Sequence, residues 1–159
     1  MRDFLVFLPA AVIYLIFKST LFPTVPVPDV PLLMVFYLAY SRPGLEGVVL
    51  SFIVGYTEDV FTGGVLGSTS YALTSVFVAV YMLSKKMHFT TPHMRAGSAA
   101  ALTVLKGVLV YTVLRYANPE APFLWGILLQ AAVTGAFAPA VITGLERLSA
   151  VVSPRTFER

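Results

Sequence analysis

The chain contains no cysteine. Disulfides, thiolate nucleophiles, covalent haem attachment and cysteine-ligated zinc are therefore excluded. Charge is scarce as well. Asp, Glu, Lys and Arg make up 12% of the 159 residues, against about 25% in an ordinary soluble domain. No glycine-rich phosphate loop is present, because Gly63-Gly64-Val65-Leu66-Gly67 lacks the lysine a nucleotide site requires. No serine sits in a nucleophile-elbow pattern. His88 and His93 share a basic loop, but two histidines without further ligands are a weak metal signal, and a solvated loop accounts for them.

What the chain has instead is apolar side chain: 57% of residues are hydrophobic and the mean hydropathy is +0.81. A single domain of this length cannot hide that much apolar surface in a water-soluble globule. Composition thus excludes an ordinary soluble enzyme and a disordered tail, and points to a polytopic membrane protein. The net charge of +3 and pI of 9.3 then report orientation in the membrane rather than nucleic-acid binding.

The apolar residues lie in runs suited to that class. Phe4 to Phe17 carries no charge, and Lys18 to Phe22 extends it. Val60 to Ser84 and Ala121 to Leu145 are both uncharged and longer than the roughly 20 residues that cross a bilayer core. Ala96 to Tyr116 is interrupted only by Lys106 and closed by Arg115. Between the first two runs lie two shorter pieces around the turn signal Ser41-Arg42-Pro43-Gly44. Val30 to Tyr40 makes a helix of roughly 17 Å, and Leu45 to Phe61 one of about 25 Å. Together they predict an antiparallel helical hairpin, its first arm lengthened by the proline-rich chain from Pro23 to Pro31. That chain cannot be helical, since each proline removes a backbone donor, so it should pack over the outer ends of other helices. The N-terminal run has no small-residue cleavage site after Phe17 and is followed by further spans, so the first helix is expected to be retained rather than cleaved as a signal peptide.

The predicted fold is one all-α transmembrane domain, a bundle of six membrane-spanning helices over approximately 4–22, 30–42, 45–61, 66–84, 96–116 and 123–147. Six spans sort the cations clearly. Arg2, Arg42, Lys85, Lys86, Arg95, Arg147, Arg155 and Arg159 fall on one side, and Arg115 at most on the other. By the positive-inside rule both termini are expected to be cytoplasmic, in an inner membrane. The acids Asp29, Glu58, Asp59 and Glu120 gather toward the outer side.

Charges inside spans suggest function or structural pairing. Lys18, near the outer end of its span, can snorkel to the headgroups or pair with an acid such as Asp29 or Asp59. Lys106 lies close to the midplane, where facing lipid would cost roughly 2.5–3.5 kcal/mol. It should face Glu58 or a polar cavity, either as a structural ion pair or as a ligand or proton site. Glu58 and Asp59 are adjacent, so on a helix they point about 100° apart and do not share one partner. They precede Thr62-Gly63-Gly64-Val65-Leu66-Gly67, which reads as a helix stop and tight turn. Ser68, Thr69 and Ser70 then offer N-cap oxygens. Such a turn is either a well-capped hairpin or a docking surface for a partner. Asp29 and Asp59 together raise an intramembrane aspartyl peptidase, which needs two carboxylates sharing a proton. Their contexts, Val27-Pro28-Asp29-Val30 and Thr57-Glu58-Asp59-Val60, do not match lipoprotein signal peptidases.

Small residues recur at four-residue spacing: Gly63 and Gly67; Ala96 and Ala100; Ala131, Gly135 and Pro139; Ala136, Ala140 and Gly144. Such rows let helix backbones approach closely, within the bundle or against another protein's helix. Pro139 should kink the last helix.

The order of motifs resembles the rod shape-determining MreD family. It runs Pro28-Asp29-Val30-Pro31-Leu32-Leu33, Phe36-Tyr37-Leu38-Ala39, Arg42-Pro43-Gly44, Gly55-Tyr56-Thr57-Glu58-Asp59-Val60-Phe61-Thr62-Gly63 and Leu66-Gly67. Pro31 interrupts that family's leucine run, and the C-terminal half matches in hydropathy alone. The resemblance implies a non-catalytic inner-membrane scaffold of the machinery that makes lateral peptidoglycan and maintains rod shape. Its partners would be MreC, the MreB filament, the glycosyltransferase RodA and a class-B penicillin-binding transpeptidase, with no cofactor. On this reading Asp29, Glu58, Asp59, Gly63, Gly67 and Lys106 are candidate partner-binding or structural residues, and the basic loop Lys85 to Arg95 touches anionic lipid or MreB. The family is also similar in architecture to the six-helix substrate-binding subunits of energy-coupling-factor transporters. A vitamin-binding subunit is therefore the alternative function.

Overall fold

The structure is a computed structural model, and it describes residues 2–21, 27–41, 44–85, 91–117 and 125–152. Part of the proline segment, Arg42 and Pro43 of the expected turn, Lys86 and His88 of the basic loop, Glu120, Arg155 and Arg159 lie outside these residues. Six helices are present among the described residues: α1 (Arg2–Leu21), α2 (Val30–Ser41), α3 (Leu45–Thr62), α4 (Ser68–Ser84), α5 (Pro92–Ala117) and α6 (Trp125–Val152). Each falls within a few residues of one predicted segment. Two stretches, His93–Ala117 and Gly126–Ser149, are long and apolar enough to cross a membrane.

The short helix α2 is the axis of the bundle. Every residue from Pro31 to Ala39 is buried, and α2 touches all the other helices. α2 and α3 are in contact, as expected of neighbouring arms, but α2 packs more extensively on α4 and α6 than on α3. The physical reason is in its sequence. VPLLMVFYLA is apolar on all sides, and a helix without a polar stripe is enclosed by neighbours rather than paired with one. Its core partners include Phe7, Leu50, Val54, Leu73, Val76, Phe77, Ala99, Ala138 and Ile142. The rings of Phe36 and Tyr40 pack tilted at 5.4 Å, and those of Phe7 and Tyr37 at 6.0 Å.

Around this axis the tightest pairs are α3 with α4 and α5 with α6. At Gly55 the α3 backbone comes so close to α4 that a Cβ there would sit 2.5 Å from the Ser70 Cα. Ser70 Oγ then donates to the Phe52 carbonyl at 3.0 Å. In the second pair, a Cβ on Gly135 would lie 2.9 Å from the Ala100 Cβ and 3.3 Å from the Ala96 carbonyl. The Ala96–Ala100 row and Gly135 thus serve packing inside the bundle. Ala136, Ala140 and Gly144 face outward instead. Gly63 and Gly67 do not form a helical row, because they lie in the turn that divides the uncharged stretch Val60 to Ser84 into two helices.

Apolar side chains fill the core and also cover much of the outside, unlike a water-soluble bundle. Ile13, Phe17, Val49, Phe52, Val60, Tyr71, Met82, Val108, Leu129 and Phe137 are exposed on the outer faces. Asp29, Glu58, Asp59 and Lys106 are buried.

Candidate functional site

The buried charges meet where α1, α3 and α5 end and α2, α4 and α6 begin. Asp29 is the N-cap of α2: its Oδ1 accepts the Leu32 N–H at 3.2 Å, satisfying one orphan donor of the first turn. Its own N–H donates to Thr134 Oγ1 on α6 at 3.0 Å. Tyr14 on α1 donates its hydroxyl to the Pro28 carbonyl. The extended residues before α2 are thereby tied to two helices at once, as the proline reading requires of non-helical chain.

Asp29 Oδ2 lies 2.6 Å from Lys106 Nζ, which lies 2.9 Å from Glu58 Oε2. Glu58 Oε1 in turn accepts from Lys18 Nζ at 3.3 Å. The four groups form a chain of alternating sign, Asp29–Lys106–Glu58–Lys18, with zero net charge. A charge in a low-dielectric interior is tolerated only with such partners. Side-chain exposure is least at Asp29, 1%, and greatest at Lys18, 19%. Glu58 was the partner expected for Lys106; Asp29 joins it from 77 positions away. Lys18 pairs with the second oxygen of Glu58 rather than with Asp29 or Asp59.

Asp59 has a different task. Its carboxylate accepts the Gly67 N–H at 2.8 Å and the Thr69 N–H at 3.1 Å, and Ser68 Oγ donates to it at 3.2 Å. A carboxylate at a helix N-terminus meets both the unpaired N–H groups and the positive end of the dipole. The cap of α4 therefore comes from α3 across the turn, not from the oxygens of Ser68, Thr69 or Ser70. The charged acceptor outcompetes the hydroxyls because charge-assisted hydrogen bonds are the stronger ones. Two left-handed residues shape the turn, Gly63 at φ 66° and Gly67 at φ 93°, conformations that favour glycine. Asp29 and Asp59 face different groups, so they do not form a carboxylate pair sharing a proton.

Above the ion chain opens a cleft of about 680 Å³. Lys18, Asp29, Glu58 and Lys106 form its polar floor; Thr62, Thr69, Thr103, Tyr111 and Gln130 add hydroxyl and amide groups; Val110, Leu114 and Ile127 supply apolar walls. Of the six candidate residues, Asp29, Glu58 and Lys106 come together at this floor. Asp59, Gly63 and Gly67 build the adjoining turn. Thr103, Tyr111, Gln130 and Thr134 were not singled out from the sequence. The signal available was their polarity inside apolar runs, the same criterion that drew attention to Lys106.

At the opposite end, Arg95 on α5 pairs with Glu146 on α6 at 2.8 Å. Tyr40 at the end of α2 donates to the same carboxylate at 3.2 Å. His93 is exposed nearby on α5. Comparison of the chain with family models, with curated proteins and with solved structures gives no match.

Proposed function

We propose that this chain is a multi-pass membrane scaffold of the MreD type, acting without catalysis in cell-wall elongation. All six helices cross the bilayer, both termini are cytoplasmic, and the cleft end faces outward. One observation carries the reading. The residues on which the resemblance rests, Pro28, Asp29, Glu58, Asp59, Gly63 and Gly67, are separated in sequence yet converge at one end of the bundle. The apolar exterior supports the membrane placement, because an extended apolar surface is one that meets lipid or protein. The short α2 fits a bilayer because its neighbours enclose it, so its length need not match the hydrocarbon thickness.

On this reading the partner is MreC, and it meets the exposed Phe61 and Leu66 of the α3–α4 turn rather than the buried acids that brace it. MreB, RodA and the transpeptidase join the same complex. The test is co-purification of MreC with the wild-type chain and with Leu66→Asp. The variant should lose MreC and fail to support rod shape while expressing normally. Retention of both by a well-expressed Leu66→Asp would refute docking at this turn. Because the natural chain has no cysteine, a single cysteine at Gly64 or Lys85 reports topology cleanly. Labelling from outside is expected at residue 64 and not at residue 85.

The cleft favours a second reading, a vitamin-binding subunit of an energy-coupling-factor transporter. Ligand sites of that kind are concave and mostly apolar with a few placed polar groups. Specific thermal stabilisation by one vitamin would favour it over the scaffold.

A further inference from the structure

We infer that the cleft is a binding site for the phosphate-bearing headgroup of an amphiphile, with the acyl portion along Val110, Leu114 and Ile127. The site stands whether or not the bundle scaffolds a partner.

The argument begins with which charges an incoming group can reach. Both carboxylates of the floor are buried and occupied by Lys106. Lys18, by contrast, is partly exposed into the cleft and, among the described residues, meets a single acceptor, Glu58 at 3.3 Å. An ammonium has three donors, so Lys18 retains unused ones there. Gln130 also lines the cleft, and its carboxamide has no hydrogen-bond partner among the described residues. At the rim, Arg115 Nη1 donates to the hydroxyl of the cleft-lining Tyr111 at 2.9 Å, and its guanidinium carbon lies 6.0 Å from that ring. Arg115 is itself exposed, and it shares a shallow groove with Tyr111, Thr112 and Tyr116. The accessible groups are thus two cations and an amide, all able to donate to oxygen.

That donor set selects an anion rich in acceptors, and phosphate satisfies it best among biological headgroups. The walls select the rest of the ligand. A free inorganic anion gains nothing from Val110, Leu114 and Ile127, whereas each buried methylene of an amphiphile does. The site therefore takes the phosphate together with its apolar tail.

The test uses the full chain purified in an uncharged detergent. Binding is followed by titration calorimetry. Short-chain phosphatidylglycerol, a short-chain neutral glyceride and inorganic phosphate are the three probes. Saturable binding of phosphatidylglycerol is expected, with little response to the glyceride and much weaker binding of inorganic phosphate. Arg115→Gln and Gln130→Leu, neither of which touches the ion chain, should each weaken binding by about threefold to tenfold, the scale of one hydrogen bond. Lys18→Gln should weaken it more. Binding of inorganic phosphate as tight as that of the lipid, lost in the same variants, would keep the anion site and overturn the amphiphile. Equal binding of the glyceride, no saturable binding, or wild-type affinity in the Arg115→Gln/Gln130→Leu double variant would overturn the site itself.

Discussion

The two ends of the bundle are each held by charge, but they are held differently. At the cleft end, four groups alternate in sign and the innermost is 1% exposed. At the opposite end, Arg95 and Glu146 pair with side-chain exposures of 18% and 38%. The first set joins α1, α2, α3 and α5; the second joins α5 to α6 with Tyr40 of α2 alongside. The difference teaches that burial, not the number of ion pairs, sets what a charge costs when its partner is removed. Water can replace Arg95 around Glu146. Nothing replaces Lys106 between Asp29 and Glu58.

The contrast can be broken most forcefully at Lys106. Lys106→Met leaves Asp29 without its cation and Glu58 with Lys18 alone, and it should destabilise the fold by about 3–5 kcal/mol, measured by denaturation in detergent. Adding Asp29→Asn restores charge balance, with Lys18 left to neutralise Glu58. The double variant should therefore be more stable than Lys106→Met alone. A double variant no better than the single one would mean that the four groups do not act as a unit.

The next effect is at Asp59, buried but serving a helix end rather than a cation. Asp59→Ala should cost about 2 kcal/mol, the upper range for loss of an N-cap, and should speed amide exchange at Gly67 and Thr69. Lys18→Met tests the accessible end of the ion chain, where a partly exposed pair contributes about 1 kcal/mol or less. Glu146→Gln at the far end should change stability least, by under about 1 kcal/mol, and its effect should fade with added salt. If Glu146→Gln proved as damaging as Lys106→Met, the distinction between the two ends would collapse.

Much of the architecture was legible because lipid-length apolar runs and turn residues are local signals. The six helices begin and end near the punctuation of Pro28, Gly44, Gly63 and Gly67. The cost of an isolated buried charge made Lys106 conspicuous, and Glu58 or a polar cavity was expected to face it. Asp29 was not, because no spacing rule links positions 77 apart. The capping of α4 was misassigned to its own hydroxyls for a related reason. Sequence rules for caps look one turn away, whereas Asp59 reaches across from the preceding helix. The central place of α2 was missed because a helix apolar on every side carries no directional information about its neighbours.

The amino-acid sequence alone determined the helical class, the positions of the helices, the inward need of Lys106 and the glycine turn, since these follow from hydropathy, backbone freedom and the cost of isolated charge. Only the tertiary structure decided that α2 is the axis, that Lys106 lies between Asp29 and Glu58, and that a cleft with donors to spare opens above them. Those features arise from contacts between segments remote in the chain, whose energies depend on distance in space and leave no trace in local order.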